Sequence, residues 1–424
     1  MDLTNAFPEL TAFLAGRTRF CANPNWGATE RREAAEEMAR IRASEAPPAV
    51  PMLHIPSGGS GGRVRFVGHS KETLFAAARA QNVVMFAARK NARSGAGAAD
   101  EKTVPRSPIF YSTLPAWHIS GVMPCVRALV SGGGVKNCDG SFAPDMPLPV
   151  LADDLADFRQ VSLVPTQLRR LLERAGGGGE EWLRGFDCVL LGGAPADAAL
   201  LERARAAGIR VALGYGMTET AAFVAWVPPD EFLAGGGVAG GGVAGGAPLP
   251  LPPATVLPGA KIEILDVAGA PVPAGISGRV AISAPWLAPA CAPRFVTNDE
   301  GVMDAGGFLR ILGRLDRFII TGGEKVDPRR IEAALLAASS AAGGLVAETL
   351  VVGEPDPEWG ERVVALLVLK DGADLPDLSP KLAAALRRQL APHCVPKRWL
   401  RVPRLPFDAK GKLDRRALAA ALGG

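Results

Sequence analysis

Apolar and polar positions alternate along this chain in short bursts, and the bursts set the expected elements. Residues 29–45 carry alanine-rich spacing of helical period, with Thr29 placed as an N-cap and Glu30 and Glu33 near the positive end of the helix dipole. An apolar run at 52–55 feeds a Gly/Ser loop at 56–62. Residues 70–80 read as a helix capped by Ser70, and 91–102, small and polar, as an exposed loop. Runs of β character at 161–164, 189–191, 211–213, 262–265 and 280–283 stand between turn residues. Helical pattern intervenes between several of them, including 166–175, where glycines 176–179 are expected to stop the helix. Strands alternating with helices predict an α/β sheet. From 313–316 onward the pattern changes. Asp327-Pro328 opens a helix to about 342, 363–369 reads as a strand, and Ser379-Pro380 opens another helix. The expectation is a large α/β N-terminal domain over 1–313 and a small α+β C-terminal domain over 314–424, joined by a hinge.

Length agrees with two domains: 424 residues exceed one ordinary domain. The 48% hydrophobic and 21% charged content is that of a soluble globular protein. Fifty glycines and 36 prolines without a triplet period exclude collagen and indicate many turns. The tract AGGGVAGGGVAGG at 234–246 reads as a flexible surface insertion. A net charge of +4 is near balance for this length, so no nucleic-acid partner is expected, although a local basic pocket for a phosphorylated ligand stays open. Six scattered cysteines with no CxxC pair argue against a disulfide scaffold or zinc site and fit a reducing cytoplasm. The first residues lack a signal-peptide pattern, and no run is both long and apolar enough for a membrane span.

Three segments carry candidate chemistry. Pro56-Ser57-Gly58-Gly59-Ser60-Gly61-Gly62-Arg63-Val64-Arg65 offers inward-turning amides, hydroxyl donors and a cation, a combination suited to a triphosphate; it is not a GxxxxGK[ST] loop, and taken alone it reads first as a flexible turn. Gly192-Gly193-Ala194-Pro195 ends a strand in small residues that let a flat ring approach the backbone. Gly214-Tyr215-Gly216-Met217-Thr218-Glu219-Thr220 follows another strand. Tyr215 offers a stacking face, Thr218 a hydroxyl for phosphate, and Glu219 a hard oxygen for Mg²⁺.

With these segments in this order, the chain resembles the adenylate-forming superfamily of acyl-CoA synthetases and peptide-synthetase adenylation domains. Three later segments extend the resemblance: Thr297-Asn298-Asp299, like the family's ribose-binding segment; 313–326, beginning Gly313-Arg314-Leu315-Asp316, like its interdomain hinge; and 406–415, which contains Lys410-Gly411-Lys412, like its catalytic-lysine loop. Within the superfamily the chain is similar to o-succinylbenzoate–CoA ligases of menaquinone and phylloquinone biosynthesis. The segments Leu114-Pro115-Ala116-Trp117-His118-Ile119-Ser120-Gly121 and Ser162-Leu163-Val164-Pro165-Thr166-Gln167-Leu168 carry that likeness, as does the run from Gly216 to Gly235. The chain departs from the family where Arg65 stands for a phosphate-loop lysine and Gly61 for a hydroxyl residue. Arginine keeps the charge but binds phosphate as a fork rather than a point.

The resemblance implies ATP, Mg²⁺ and CoA as partners of a small-molecule carboxylate, with AMP-forming chemistry in two half-reactions. It places Ser57, Gly58, Gly59, Ser60, Gly62, Arg65, Gly192, Gly193, Ala194, Tyr215, Gly216, Asp299 and Arg314 against the nucleotide. It gives Thr218, Glu219 and Lys412 catalytic roles, Glu219 the metal, and Asp316 the hinge. It sets His118, Thr166 and Gln167 beside the acid, where a structural hydrogen-bonding histidine and an ordinary helix start are the competing readings. Another aryl- or acyl-CoA ligase, or an adenylation module that acylates a carrier protein, is the alternative.

Overall fold

The computed structural model describes all residues except 1–6, 25, 27, 45–49, 59–63, 94–104, 106, 144–145, 152–155, 194–195, 197, 236–251, 316–318, 322–323, 342, 408–412 and 424. The chain divides into two compact units, one of Met1–Thr297 with Gly301–Ile311 and one of Asn298–Glu300 with Leu312–Gly424.

The centre of the first unit is a seven-stranded sheet in the order Thr255–Val256, Ala222–Val227, Val211–Met217, Cys188–Leu191, Phe158–Leu163, Pro108–Ser112, Gly134–Asn137. The last five in this order run parallel, and the first two join the edge antiparallel. Parallel strands need crossover connections, and helices lie in three of these: Ile119–Ser131, Pro165–Leu172 with Gly178–Arg184, and Ala198–Ala206. Both faces are therefore covered. Phe110, Phe158, Leu190 and Ala212 pack on one side, and Tyr111, Val161, Leu191 and Val211 on the other. A strand buried on both faces reads as a continuous apolar run, which is why these runs lack alternation in the sequence. The same unit holds a three-stranded sheet of Arg19–Phe20, Leu53–Gly58 and Val64–His69. A four-stranded sheet follows, built from Lys261–Leu265, Ser277–Ser283, Phe295–Met303 and Leu309–Arg314, of which residues 298–300 and 312–314 are counted with the second unit.

The second unit is α+β. Its long antiparallel pair is Val346–Asp356 with Gly360–Leu369, and the other edge of Gly360–Leu369 takes both extensions: Ile319–Thr321, itself paired with Glu324–Val326, joins at Gly360, and the parallel strand Arg398–Arg401 joins at Val364–Leu367. The helices Pro328–Ala341 and Leu375–Arg387 pack their apolar residues Ile331, Leu335, Leu378, Leu382 and Leu386 with Val351, Val363 and Leu367 of the pair.

Several boundaries differ from expectation. Thr29 lies inside the helix Ala28–Ser44. The strand Leu53–Gly58 runs into what read as loop, and the helix opened by Ser70 continues to Arg93. Glycines 176–179 redirect the chain instead of ending its helices: Gly176 and Gly177 take φ of 73° and 72°, and a new helix begins at Gly178. The helix assigned a start at Ser379-Pro380 begins at Leu375 after Asp374, with Pro376 in its first turn and Pro380 inside it. Asp327 and Ser70 do cap as expected: Asp327 Oδ1 accepts from the Arg329 amide at 3.0 Å, and Ser70 Oγ from the Thr73 amide at 3.3 Å. Among the described residues, no helix is long and apolar enough to cross a membrane.

Candidate active site

The parallel sheet has one topological switch point. The chain leaves Pro108–Ser112, crosses to Gly134–Asn137 on one side, and then returns to Phe158–Leu163 on the other. In open α/β sheets the crevice outside the carboxyl ends at such a point is where ligands bind. The segments singled out from sequence follow those carboxyl ends. Residues 114–121 follow the first of the three strands, 164–168 the third, 192–195 the neighbouring Cys188–Leu191, and Thr218–Thr220 the strand after that. In-register pairing of Ser112 with Ser162, Leu163 with Leu191 and Leu191 with Leu213 brings these ends level.

The loop after Val211–Met217 is built tightly. Thr218–Thr220 form one 3-10 turn, and the chain then reverses into the antiparallel strand Ala222–Val227. The reversal puts Ala221 at φ 50° and Ala222 at φ 77°, a left-handed conformation that L side chains resist. Thr220 Oγ1 accepts from the Met217 amide at 2.9 Å and bonds the Ala222 carbonyl at 2.6 Å, tying the loop across its base. Gly216 is obligatory by close approach, since a Cβ there would overlap the Ala222 carbonyl. Tyr215, Thr218 and Glu219 are half-buried.

Two groups from the hairpin Leu53–Gly58/Val64–His69 meet this loop. Ser57 Oγ donates to Glu219 Oε1 at 3.3 Å. His69 Nε2 donates to the Thr218 carbonyl at 2.7 Å, while Nδ1 lies 3.3 Å from Thr73 Oγ1. His69 is fully buried; desolvation pushes its pKa down to about 4, against the Thr218 bond, which raises it, and with His54 adding a small lowering. It is therefore neutral at physiological pH. Arg65 pairs in register with Ser57 across the hairpin and is exposed. Gly59, Ser60 and Gly62 lie outside the described residues, as does Ala194. Gly193 takes φ 83°, and the Gly192 amide bonds the Leu163 carbonyl at 3.2 Å.

On the other side of the switch point, His118 is the N-cap residue of Ile119–Ser131, half-buried, its ring 6.2 Å from that of Trp117. Gly121 explains the shape of 114–121, since a Cβ there would overlap the carbonyls of Leu114 and Pro115. Thr166 is exposed. Gln167 is buried and its amide is engaged at both ends: Oε1 accepts from the Val164 amide at 3.0 Å, and Nε2 donates to the Thr113 and Gly140 carbonyls at 3.2 and 2.9 Å. In this structure Gln167 fastens three backbone segments together.

Within the second unit, Asp299 is 7% exposed and Arg314 Nη1 lies 3.7 Å from its Oδ1. Asp316 and Lys412 lie outside the described residues. The donor set around Glu219, one carboxylate with a neighbouring hydroxyl, fits Mg²⁺, which usually takes one or two carboxylates and completes its shell with water and substrate phosphate. Among the described residues no group of three potential metal ligands is assembled. Gln81 and Arg127 belong to none of the motifs above; they are buried polar residues within the apolar stretches FAAARAQNVVMFAA and VMPCVRALV. Polar side chains in the middle of apolar helices were the available signal.

Sheet order, the loop after Val211–Met217 and the separate α+β unit define an α/β protein of two units with a crevice at the carboxyl ends of its parallel strands. The chain belongs to the AMP-binding enzyme family: residues 17–290 match the AMP-binding enzyme domain and 331–412 the AMP-binding enzyme C-terminal domain. Among curated proteins it is similar to 2-succinylbenzoate–CoA ligases. It is 32% identical to that of Geobacillus kaustophilus over 77% of this chain and 63% of the relative, and 31% identical to that of Listeria innocua over 72% and 60%. The chain thus spans about three-fifths of the length of these relatives. Among solved structures it is similar to the o-succinylbenzoate CoA synthetase of Bacillus subtilis in complex with its acyl-adenylate intermediate (TM-score 0.63, 25% identity, 86% of this chain and 68% of that one). It also shares its fold with ATP-bound MatB of Rhodopseudomonas palustris (TM-score 0.64, 24% identity, 86% and 67%).

Proposed function

We propose that this chain is an AMP-forming acid–CoA ligase, and that its acid is o-succinylbenzoate. The observation that carries the proposal is the contact of Ser57 with Glu219, which joins the hydroxyl-rich hairpin to the Thr218–Thr220 turn at the carboxyl end of the sheet. Family membership and the names of the ligases it resembles supply the reaction class and the acid.

In the first half-reaction a carboxylate oxygen of the acid attacks the α-phosphorus of ATP. The bond to pyrophosphate breaks, and acyl-AMP forms. In the second, the CoA thiol attacks the acyl carbon, loses its proton, and AMP leaves with the electron pair of the broken acyl–phosphate bond. Two anions must meet in the first step, so the protein's task is orientation and positive charge rather than covalent catalysis. Tyr215 stacks on the adenine against 192–195. Asp299 accepts the ribose hydroxyls beside Arg314. Ser57, Thr218, Arg65 and the amides of 58–62 take the phosphates, and Lys412 bridges the carboxylate and the α-phosphate. Glu219 would hold Mg²⁺, which would supply positive charge to the pyrophosphate leaving group. His118 and Thr166 face the acid, and Gln167 shapes its wall by fixing the backbone around it. Residues 314–424 act as a mobile domain on a hinge at Asp316. The six cysteines are assigned to no disulfide, which suits a reducing cytoplasm.

The test is AMP release from ATP with o-succinylbenzoate, benzoate or a medium-chain fatty acid, each with and without CoA. CoA-dependent release preferring o-succinylbenzoate supports the proposal. A preference of about tenfold in kcat/KM for a fatty acid, about 1.4 kcal/mol of discrimination, overturns the acid and keeps the reaction class. AMP release that requires a carrier protein instead of CoA overturns the class.

A further inference from the structure

The left-handed backbone at Ala221 and Ala222 is held from inside the molecule. Gln81, fully buried in the helix Lys71–Arg93, donates from Nε2 to the Ala221 carbonyl at 2.9 Å and to the Phe223 carbonyl at 3.1 Å. An amide can be flipped, so something must choose the end that points at those carbonyls. Arg127 makes the choice. Its Nη1 donates to Gln81 Oε1 at 3.2 Å, which leaves only the NH₂ end for the loop. Arg127 is 1% exposed; its Nη2 reaches Gln160 Oε1 at 3.4 Å and Ser162 Oγ at 3.3 Å, and its guanidinium lies over the Phe110 ring at 5.8 Å. Among the described residues it has no ion pair. Burial lowers its pKa to about 10, so it stays charged at neutral pH. A buried guanidinium without a carboxylate is a costly way to fill a core, and an apolar side chain of similar volume would pack there at less expense. Its hydrogen bonds serve Gln81 and the strand ends instead.

We propose that Gln81, oriented by Arg127, is a positioning residue for adenylation. It clamps the Ala221 and Phe223 carbonyls, holds the chain in the left-handed reversal, and so keeps Thr218 and Glu219 facing the hairpin that bears Ser57. It touches no substrate. Its activity arm rests on the function proposed above; its backbone arm does not.

Gln81→Glu tests the orientation. Glutamate keeps the size and the Arg127 bond but has no proton for either carbonyl. The expected result is a drop of about tenfold or more in kcat for AMP formation, with KM for the acid within twofold of the parent. Amide hydrogen exchange should rise at least fivefold across 217–223 and little elsewhere. Adding Ala221→Gly and Ala222→Gly removes the conformational penalty the clamp opposes, and this should recover at least threefold of the lost rate. The glycine pair alone should leave the parental rate within twofold. Arg127→Lys, which keeps the charge but loses the fork, should shift exchange in the same direction and to a smaller extent; it stands in if Gln81→Glu does not fold. Unchanged exchange across 217–223 in both variants overturns the clamp, as does a rate loss that the glycines do not recover. If the parent forms no AMP from any acid, the proposed function fails while the exchange arm still decides the clamp.

Discussion

At the scale of single residues, charge and burial give three measurable outcomes. Glu219→Gln keeps the shape and the Ser57 contact but removes the charge offered to Mg²⁺. AMP formation should fall about 100-fold, about 2.7 kcal/mol of barrier, and the Mg²⁺ concentration for half-maximal rate should rise. An unchanged Mg²⁺ dependence would move the metal elsewhere. Asp299→Ala should raise KM for ATP about 10- to 100-fold, because charge-assisted hydrogen bonds contribute about 1.5–3 kcal/mol each; steady-state kinetics with the fold checked by circular dichroism decides it. His69 sets a pH limit on stability. Above pH about 6.5 it is neutral folded or unfolded and contributes nothing. Between about 6.5 and the folded value of about 4, the unfolded chain takes up a proton that the buried ring refuses, so stability falls with pH, by up to about 3 kcal/mol. Below about 4 both states are protonated and the loss stops growing. Urea midpoints from pH 7 to 4 should fall less steeply in His69→Gln, whose amide can still donate to the Thr218 carbonyl.

At the scale of elements, the turns bear the weight. Gly121→Ala would push a methyl group into the carbonyls of Leu114 and Pro115 and force the turn before Ile119–Ser131 to open. Overpacking of this kind costs about 1–3 kcal/mol. The melting temperature should drop, and KM for the acid should rise more than KM for ATP, because His118 begins that helix; equal changes in both would detach the turn from the acid site. The elements also show what sequence can and cannot supply. The strands at 189–191, 211–213 and 280–283 were legible because β-branched and leucine runs between turn residues have few other solutions. The motif after Val211–Met217 was legible because Gly216 and Thr220 leave a local signature. Pro380 misled because proline usually marks a first turn; here Asp374 and Pro376 had already opened the helix. Sheet order was not legible, since the pairing of 108–112 with 158–163 across fifty residues leaves no local mark. Nor was the grip of Gln81 on Ala221, which joins positions 140 residues apart.

At the scale of the whole molecule, the proposed ligase reaction would make two incompatible demands on the place of Lys412. Adenylation needs a cation at the α-phosphate, and thioester formation needs that space for a thiol. Lys412→Ala should therefore lose adenylation by orders of magnitude and still convert supplied acyl-AMP to acyl-CoA at near the parental rate. Asp316→Pro, which would stiffen the proposed hinge, should spare pyrophosphate release more than thioester formation. Equal slowing of both half-reactions by Lys412→Ala would overturn the proposal that Lys412 serves adenylation alone. The switch point in the sheet has a different consequence, one for inheritance. The segments assigned to the acid leave the strands that flank it, within 114–168, whereas those assigned to the nucleotide within the same sheet leave strands farther along, at 192–195 and 218–220. Under the proposed assignment, acid preference falls on one contiguous stretch of chain, and nucleotide use on segments before and after it. A lineage could replace the first by a single recombination and acquire a new acid while its energy source stayed untouched.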